Sequence, residues 1–145
     1  MQHLFSSEAK NLKASFLDSD SGRVAYAQTR ITWSGKIVVE TIEYYDRLPD
    51  VLKQSVDIHE NVHVADLQPY AKYRGFGEFV AILNMEGGIH AYEVKAYRVQ
   101  IEFLNKQITN LPSGPLRQQV LNFTYNARSN LKAAEYGAGL RERPY

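Results

Sequence analysis

The chain has 145 residues, which is the size of a single domain and long enough to bury a hydrophobic core. Its 17 basic and 16 acidic residues give a net charge of +1, and this balance removes the electrostatic argument for nucleic acid or an anionic membrane as a partner. The chain contains no cysteine, so thiolate metal ligands and disulfide bonds are excluded. Any metal site must therefore use histidine and carboxylate side chains.

The sequence shows no segment typical of export or membrane insertion. Residues 1–5 lack the basic region and apolar run of a signal peptide, and no apolar stretch approaches the length of a membrane span. We therefore expect a protein that is cytoplasmic or is exported by a dedicated secretion system.

The first 45 residues predict a short helix, a turn and a β-hairpin. Residues 1–22 are assigned to an N-terminal helix that ends in an Asp/Ser/Gly turn at residues 18–22. That turn has only a weak similarity to a calcium loop, because its glycine comes one place early and the closing glutamate is missing. Residues 23–45 are rich in β-branched and aromatic residues on both sides of Gly35, which predicts a hairpin.

The remainder of the chain predicts helices whose ends are marked by proline and glycine. Apart from a predicted loop at residues 70–77, the helical segments are residues 46–69, 78–85, 89–110 and 115–137. We expect one domain, residues 1–145, in the α+β class.

The most informative stretch is a His-Glu-x-x-His motif within the first long helix, formed by His59, Glu60 and His63. Residues four apart lie on one face of a helix, so the two imidazoles can face a common point. A helical projection places both histidines in the apolar stripe that also contains Val56 and Val62. Unpaired polar groups buried there cost about 1–3 kcal/mol each, and one metal ion would satisfy both.

A carboxylate also lies within the apolar stripe of the helix at residues 89–110. Glu93 shares that face with apolar residues: Ile89, Ala96, Ile101, Leu104 and Ile108. Such a carboxylate is unusual unless it is paired or bound to a metal, which makes Glu93 the candidate third ligand.

The residues alone leave other interpretations open. His59 and His63 could be core histidines bonded to carboxylates, and Glu93 could form a partly buried ion pair. His90 is an alternative ligand to Glu93. Asp66 also lies on the histidine face, but ligands at i, i+4 and i+7 of a straight helix span about 10 Å of rise. Asp66 is therefore expected to bond a histidine from outside the ligand set.

The segments His59-Glu60-Asn61-Val62-His63 and Glu93-Val94-Lys95-Ala96-Tyr97 resemble those of a small zincin of the gluzincin type. In that type the third ligand is a glutamate on the helix after the His-Glu-x-x-His helix. The resemblance covers Arg23 to Leu104. It implies a minimal zincin-like domain, in which a short antiparallel sheet packs against the motif helix and two further long helices. Thermolysin-like members usually have an aspartate at the position of Tyr97.

The resemblance also implies a role for each site residue. His59, His63 and Glu93 would hold Zn²⁺ with a water in the fourth position, and Glu60 would be the general base. Five residues are candidates for the donor that stabilises the oxyanion, and Tyr97 is the tentative catalytic choice among them: Tyr97, His90, Tyr92, Tyr73 and Arg74. The strand at residues 37–42 is expected to pair with an extended peptide.

These implications predict a zinc metallopeptidase that hydrolyses amide bonds in a peptide or protein. Similar compact domains occur as bacterial effector or toxin modules, for which an immunity protein would be a partner, and as the protease domains of ImmA/IrrE-like regulators. A non-catalytic binding module stabilised by zinc is the alternative from a different class. Neither nucleic acid nor a membrane is expected as a partner.

Overall fold

The computed structural model describes residues 26–141. We number its strands and helices in chain order: β1 (Ala27–Ile31), β2 (Ile37–Thr41), α1 (Glu43–Asp46), α2 (Asp50–Leu67), a 3₁₀ helix (Gln68–Phe76), α3 (Gly77–Asn84), α4 (Ile89–Asn110) and α5 (Pro115–Gly137). The predicted N-terminal helix and turn at residues 1–22, including the calcium-like run, lie outside the described residues.

The two strands form an antiparallel hairpin in the register Ala27↔Thr41 to Ile31↔Ile37. Gly35 occupies the turn with a positive φ of 93°, a conformation that glycine adopts without a steric penalty. Alternate residues of β1 are buried: Ala27, Thr29 and Ile31. This face packs toward α2, as expected for a sheet covered on one side by helices.

The hairpin is shorter than the predicted range of residues 23–45. Residues 43–46 form the short helix α1, although Tyr44 and Tyr45 favour strands in isolation. The Tyr45 hydroxyl donates to Asp57 Oδ1 at 2.8 Å, and the Tyr45 amide donates to the carbonyl of Ile42. These two contacts stabilise the turn at residues 42–46, where the β propensity of the tyrosines predicted that the strand would continue.

The loop predicted at residues 70–77 is also wrong, because the structure has a 3₁₀ helix there. Pro69 lies at its first turn, where the missing amide is tolerated. The helix is interrupted at Arg74, whose φ of 55° and ψ of −131° are non-helical. Gly75 lies directly against the ring of Trp33, so this segment is held against the hairpin.

Helices α2 and α4 pack together along their buried faces. Leu52 near the start of α2 shares a hydrophobic cluster with Ile101 and Leu104 near the end of α4. Leu67 at the other end of α2 shares a second cluster with Tyr92, near the start of α4. The two helices are therefore antiparallel neighbours. Polar side chains that lie between the two clusters are buried as well: Ser55, His59, Glu60, His63, Glu93 and Gln100.

The described residues form an α+β fold in which a two-stranded antiparallel sheet packs against α2, and α2 packs against α4. This confirms the predicted fold class. Helix α5 packs against α4 and contributes Val120 and Ala127 to the cluster that contains Leu52, and Pro115 lies at its first turn. The helices near residues 46–69, 89–110 and 115–137 are all present, and α2 is four residues shorter at its start than the sequence indicated.

Candidate metal centre

The side chains of the His-Glu-x-x-His motif are buried together on one face of α2. His59 is 7% exposed, Glu60 6% and His63 2%. The buried residues of α2 follow the helical repeat: Leu52, Ser55, Val56, His59, Glu60, His63 and Leu67. The ligand atoms of His59, Glu60 and His63 lie within 4.8 Å of one another, so this buried group could hold a metal ion.

Glu93 extends from α4 to the same point. Its Oε1 atom lies 3.2 Å from His59 Nε2 and 2.5 Å from His63 Nε2, and the two Nε2 atoms are 3.2 Å apart. Ligand atoms about 2.0 Å from a tetrahedral zinc ion lie about 3.3 Å apart, and two of these three distances match that value. The third distance, between His63 Nε2 and Glu93 Oε1, is that of a direct hydrogen bond, so the histidines bond the Glu93 carboxylate in a buried ion pair, as the alternative interpretation of these residues expected. His59 and His63 also belong to the group that could hold a metal ion.

Two carboxylates compete for the third ligand position. Glu60 Oε2 lies 3.8 Å from His59 Nε2, whereas Glu93 Oε1 lies 3.2 Å from the same atom and closer still to His63. Glu93 is thus the carboxylate nearer to both imidazoles, whereas Glu60 is the carboxylate whose ligand atom lies within 4.8 Å of those of His59 and His63. Both carboxylates therefore lie beside the two imidazoles, one from each helix.

The other ring nitrogen of His59 is held by a chain of hydrogen bonds. Gln100 Oε1 lies 2.8 Å from His59 Nδ1, Gln100 Nε2 donates to Ser55 Oγ at 3.4 Å, and Ser55 Oγ donates to the Leu52 carbonyl at 2.8 Å. A carbonyl only accepts, so the Ser55 oxygen must accept from the Gln100 amide, which leaves the amide oxygen facing His59. Nδ1 therefore carries the proton, and in the neutral ring the lone pair is on Nε2, which faces the other ligands.

His59 and Glu93 are both buried, and each shifts the pKa of the other. Burial opposes ionisation of Glu93, but His59 and His63 more than offset it and lower the pKa of Glu93 from 4.5 to about 2. Burial likewise lowers the pKa of His59, while the Glu93 carboxylate, helped by Glu60, raises it by more. The net pKa of His59 is about 9 against the ordinary 6.5. The two shifts have one cause, since each of the two groups stabilises the charged form of the other.

Glu60 is fixed by the sheet rather than by another helix. The Oγ1 atom of Thr29, which is fully buried on β1, donates to Glu60 Oε1 at 2.9 Å. The same hydroxyl lies 3.3 Å from the Glu60 main-chain carbonyl. One carboxylate oxygen of Glu60 is therefore held by the strand, and the other, Oε2, is directed toward His59.

Asp66 is neither a ligand nor the expected partner of a histidine. Its Oδ1 atom accepts from Lys95 Nζ at 2.6 Å, in an ion pair between α2 and α4. Its other oxygen, like Nδ1 of His63, is buried and has no hydrogen-bond partner within the part of the chain that the structure describes. The prediction that Asp66 bonds a histidine is therefore wrong in this structure, because the exposed Lys95 takes the carboxylate.

Among the five candidate oxyanion donors, Tyr97 borders the site, with its ring edge-on to His59 at a centroid distance of 4.5 Å. The other four lie elsewhere. Tyr92 donates to the Ala81 carbonyl, the His90 ring lies against Gly137, Tyr73 lies beneath Lys72, and Arg74 lies beside Gly35. His90 is also absent from the group of residues that could hold a metal ion.

Sequence reasoning missed the three residues that support the site: Thr29, Ser55 and Gln100. Each is a polar residue on a buried face, with an exposed fraction of 0%, 0% and 5%. Gln100 lies two helical turns after Glu93 and so on the same face of α4, which was a usable signal. Thr29 alternates with Ala27 and Ile31 on one face of β1, but nothing in the sequence links that face to Glu60.

Comparison of the chain with models of protein families, with curated proteins and with solved structures yields no match. None of the helices among residues 26–141 combines the length and the apolar composition needed to span a membrane. A function is therefore proposed from the chemistry of the site.

Proposed function

We propose that the protein is a zinc-dependent metallopeptidase that hydrolyses amide bonds in a peptide or protein. The observation that carries this proposal is the convergence of His59 Nε2, His63 Nε2 and Glu93 Oε1 with the Glu60 carboxylate beside them. Two imidazoles and one glutamate are a ligand set used by catalytic zinc, and they leave the fourth tetrahedral position open. Imidazole ligands also favour zinc over magnesium or calcium, which prefer oxygen ligands.

Glu60 has the geometry of a general base in this reaction. Zinc, when bound, supplies Lewis acidity and lowers the pKa of a water that it coordinates to about 7. Glu60 takes a proton from the attacking water through Oε2 and passes it to the leaving amine. Tyr97, whose ring packs against His59, is the proposed donor to the oxyanion.

Besides β2, the strand expected to bind an extended peptide, the outer edge of β1 at Thr29 is a second candidate, although the next outward amide of β1, that of Ile31, already donates to Glu78 Oε1 at 2.8 Å. The hydrogen bonds from Thr32 N to the Lys36 carbonyl and from Ile42 N to the Tyr26 carbonyl show that the even-numbered residues of this strand direct their backbone groups toward β2. By alternation, the backbone groups of Thr29 point away from β2, on the edge beside Glu60. No strand among residues 26–141 pairs there. A substrate strand that pairs with this edge would lie next to the base.

The test is the substitution Glu60→Gln, which keeps the size of the side chain and removes the base. We expect about one zinc per chain in both proteins, measured by elemental analysis. Cleavage of a peptide library should fall in the variant by at least about 100-fold, the contribution of a positioned base. Cleavage at the wild-type rate by Glu60→Gln would rule out this mechanism. An effector and a regulatory protease share this chemistry and differ in their substrates.

The burial of the site favours a second candidate function, a non-catalytic binding module stabilised by its metal. His63 and Glu93 are each 2% exposed, as in a structural site that is closed to solvent. This candidate predicts a large drop in melting temperature on chelation, together with no cleavage of any peptide in the library. Turnover that is restored by adding zinc to the chelated protein excludes it.

A further inference from the structure

Glu60 lies close enough to the ligand set to become a ligand itself. Its carboxylate oxygen lies within 4.8 Å of the ligand atoms of both His59 and His63, and Oε2 is 3.8 Å from His59 Nε2. A rotation of a flexible glutamate side chain covers distances of this size. If Glu60 coordinated the ion, it would occupy the fourth position and close the site. Something in the fold must decide between the two arrangements.

Thr29 is positioned to hold Glu60 in the first arrangement, in which its carboxylate stays off the metal. It lies at the centre of β1 between Ala27 and Ile31, and its hydroxyl donates to Glu60 Oε1 at 2.9 Å. A β-branched side chain has few accessible χ1 rotamers, and Thr29 is 0% exposed, so the direction of this hydroxyl is fixed by packing. A hydrogen bond to a carboxylate is also stronger than one between neutral groups.

The buried face of β1 is otherwise apolar, which indicates a specific role for the hydroxyl group of Thr29. Ala27 and Ile31 are the other buried residues of β1, and valine, with the same shape as threonine, would pack there without burying a polar group. The Thr29 hydroxyl has its shortest contact with Glu60 Oε1 and a longer one with the Glu60 carbonyl. Both contacts are to the same residue.

We infer that Thr29 is a positioning residue that holds Glu60 outside the coordination sphere of the metal, so that Glu60 remains available as a base. The inference rests on the proposed function, since it concerns the same metal site. One hydroxyl group on β1 therefore determines whether the fourth position of the metal is open or is occupied by Glu60. Loss of that hydroxyl frees Oε1 and lets the carboxylate turn toward His59 and His63.

The test replaces the metal with Co²⁺, whose visible absorption reports the number and kind of its ligands. The chelated 145-residue chain is titrated with Co²⁺ as wild type, Thr29→Val and Thr29→Ser, with Thr124→Val as a matched control. Thr124 is also buried, but its hydroxyl donates to the Val120 carbonyl within α5. Thermal melts of each variant establish that it is folded.

We expect Thr29→Val to change the Co²⁺ spectrum and to lower kcat about 10- to 100-fold with KM retained, as for loss of other groups that orient a metal site. Thr29→Ser, which keeps the hydroxyl, should retain the wild-type spectrum and most of the activity, and Thr124→Val should match wild type in both. Thr29→Ala, which removes the hydroxyl and leaves more space, should give the same spectral change as valine. It serves as the test if the valine variant does not fold.

A wild-type spectrum in folded Thr29→Val or Thr29→Ala overturns the inference even where activity falls, because the loss then has a different origin. A changed spectrum in Thr29→Ser also overturns it, since the hydroxyl is still present. Failure of the wild-type chain to bind Co²⁺ contradicts the metal site itself. Wild-type activity in Glu60→Gln contradicts the base mechanism alone, so the two proposals fail in distinguishable ways.

Discussion

Gln100 Oε1 lies 2.8 Å from Nδ1 of His59 and accepts a hydrogen bond from it, two helical turns after Glu93 on the same helix. A group that receives the second N–H of a metal-bound histidine fixes the orientation and tautomer of the ring. In the thermolysin-like pattern a carboxylate is expected four residues after the third ligand, where this chain has Tyr97. In this chain the neutral amide of Gln100, one turn after Tyr97, contacts the His59 ring, and Tyr97 packs edge-on against the same ring.

The first prediction concerns this amide. Gln100→Leu removes the acceptor for the buried N–H of His59 and should weaken metal affinity about 10- to 100-fold, measured by competition with a chromogenic chelator. The matched control is Gln107→Leu, two turns further along α4 and only partly buried, which should bind metal as wild type does. Equal affinities of Gln100→Leu and Gln107→Leu would show that the amide does not support the site.

The second prediction concerns which residues are ligands. His63→Ala and Glu93→Gln each remove a proposed ligand and should lower metal affinity by more than about 100-fold, the upper range for loss of a supporting group. Two matched controls lie outside the site. His90→Ala changes a ring that lies against Gly137, and Glu135→Gln changes a carboxylate that bonds Arg98 and Arg141 on the surface.

Metal content per chain, measured on purified variants after dialysis, separates these cases. Both controls should retain about one metal ion, because the His90 ring lies against Gly137 and the Glu135 carboxylate bonds Arg98 and Arg141. A metal-free His90→Ala protein together with a metal-loaded Glu93→Gln protein would reverse the assignment of the third ligand.

The core of the candidate site was predictable because it depends on regular helix geometry. His59 and His63 are four residues apart in one helix, so their common direction follows from the helical repeat alone. Glu93 was recognisable as a carboxylate in an apolar stripe, and the structure buries it to 2% exposure beside both imidazoles. The metal and its chemistry stay predictions.

What the sequence did not reveal depends on contacts between distant parts of the chain. Thr29 meets Glu60 across 31 positions and Gln100 meets His59 across 41, so their roles appear only when β1, α2 and α4 have been packed together. The predicted end of the hairpin was wrong for the same reason. The hydrogen bond from Tyr45 to Asp57 accompanies a short helix where the strand propensity of Tyr44 and Tyr45 predicted a strand.

The last prediction concerns pH. Burial lowers the pKa of His59, but the Glu93 carboxylate raises it by more, so that the imidazole titrates at about 9 in the chain without metal. Below that pH the ring holds a proton that a metal ion must displace, because only neutral imidazole coordinates. Glu93, with a pKa of about 2, is already ionised and adds no proton to the exchange above pH 4.5. Metal affinity should therefore fall by at least about tenfold for each pH unit between 8 and 6, since binding displaces at least the proton of His59. Calorimetry at pH 7 in two buffers of different ionisation enthalpy measures that proton directly. An affinity that is constant over this range, with no proton released, would mean that His59 is neutral before the metal binds.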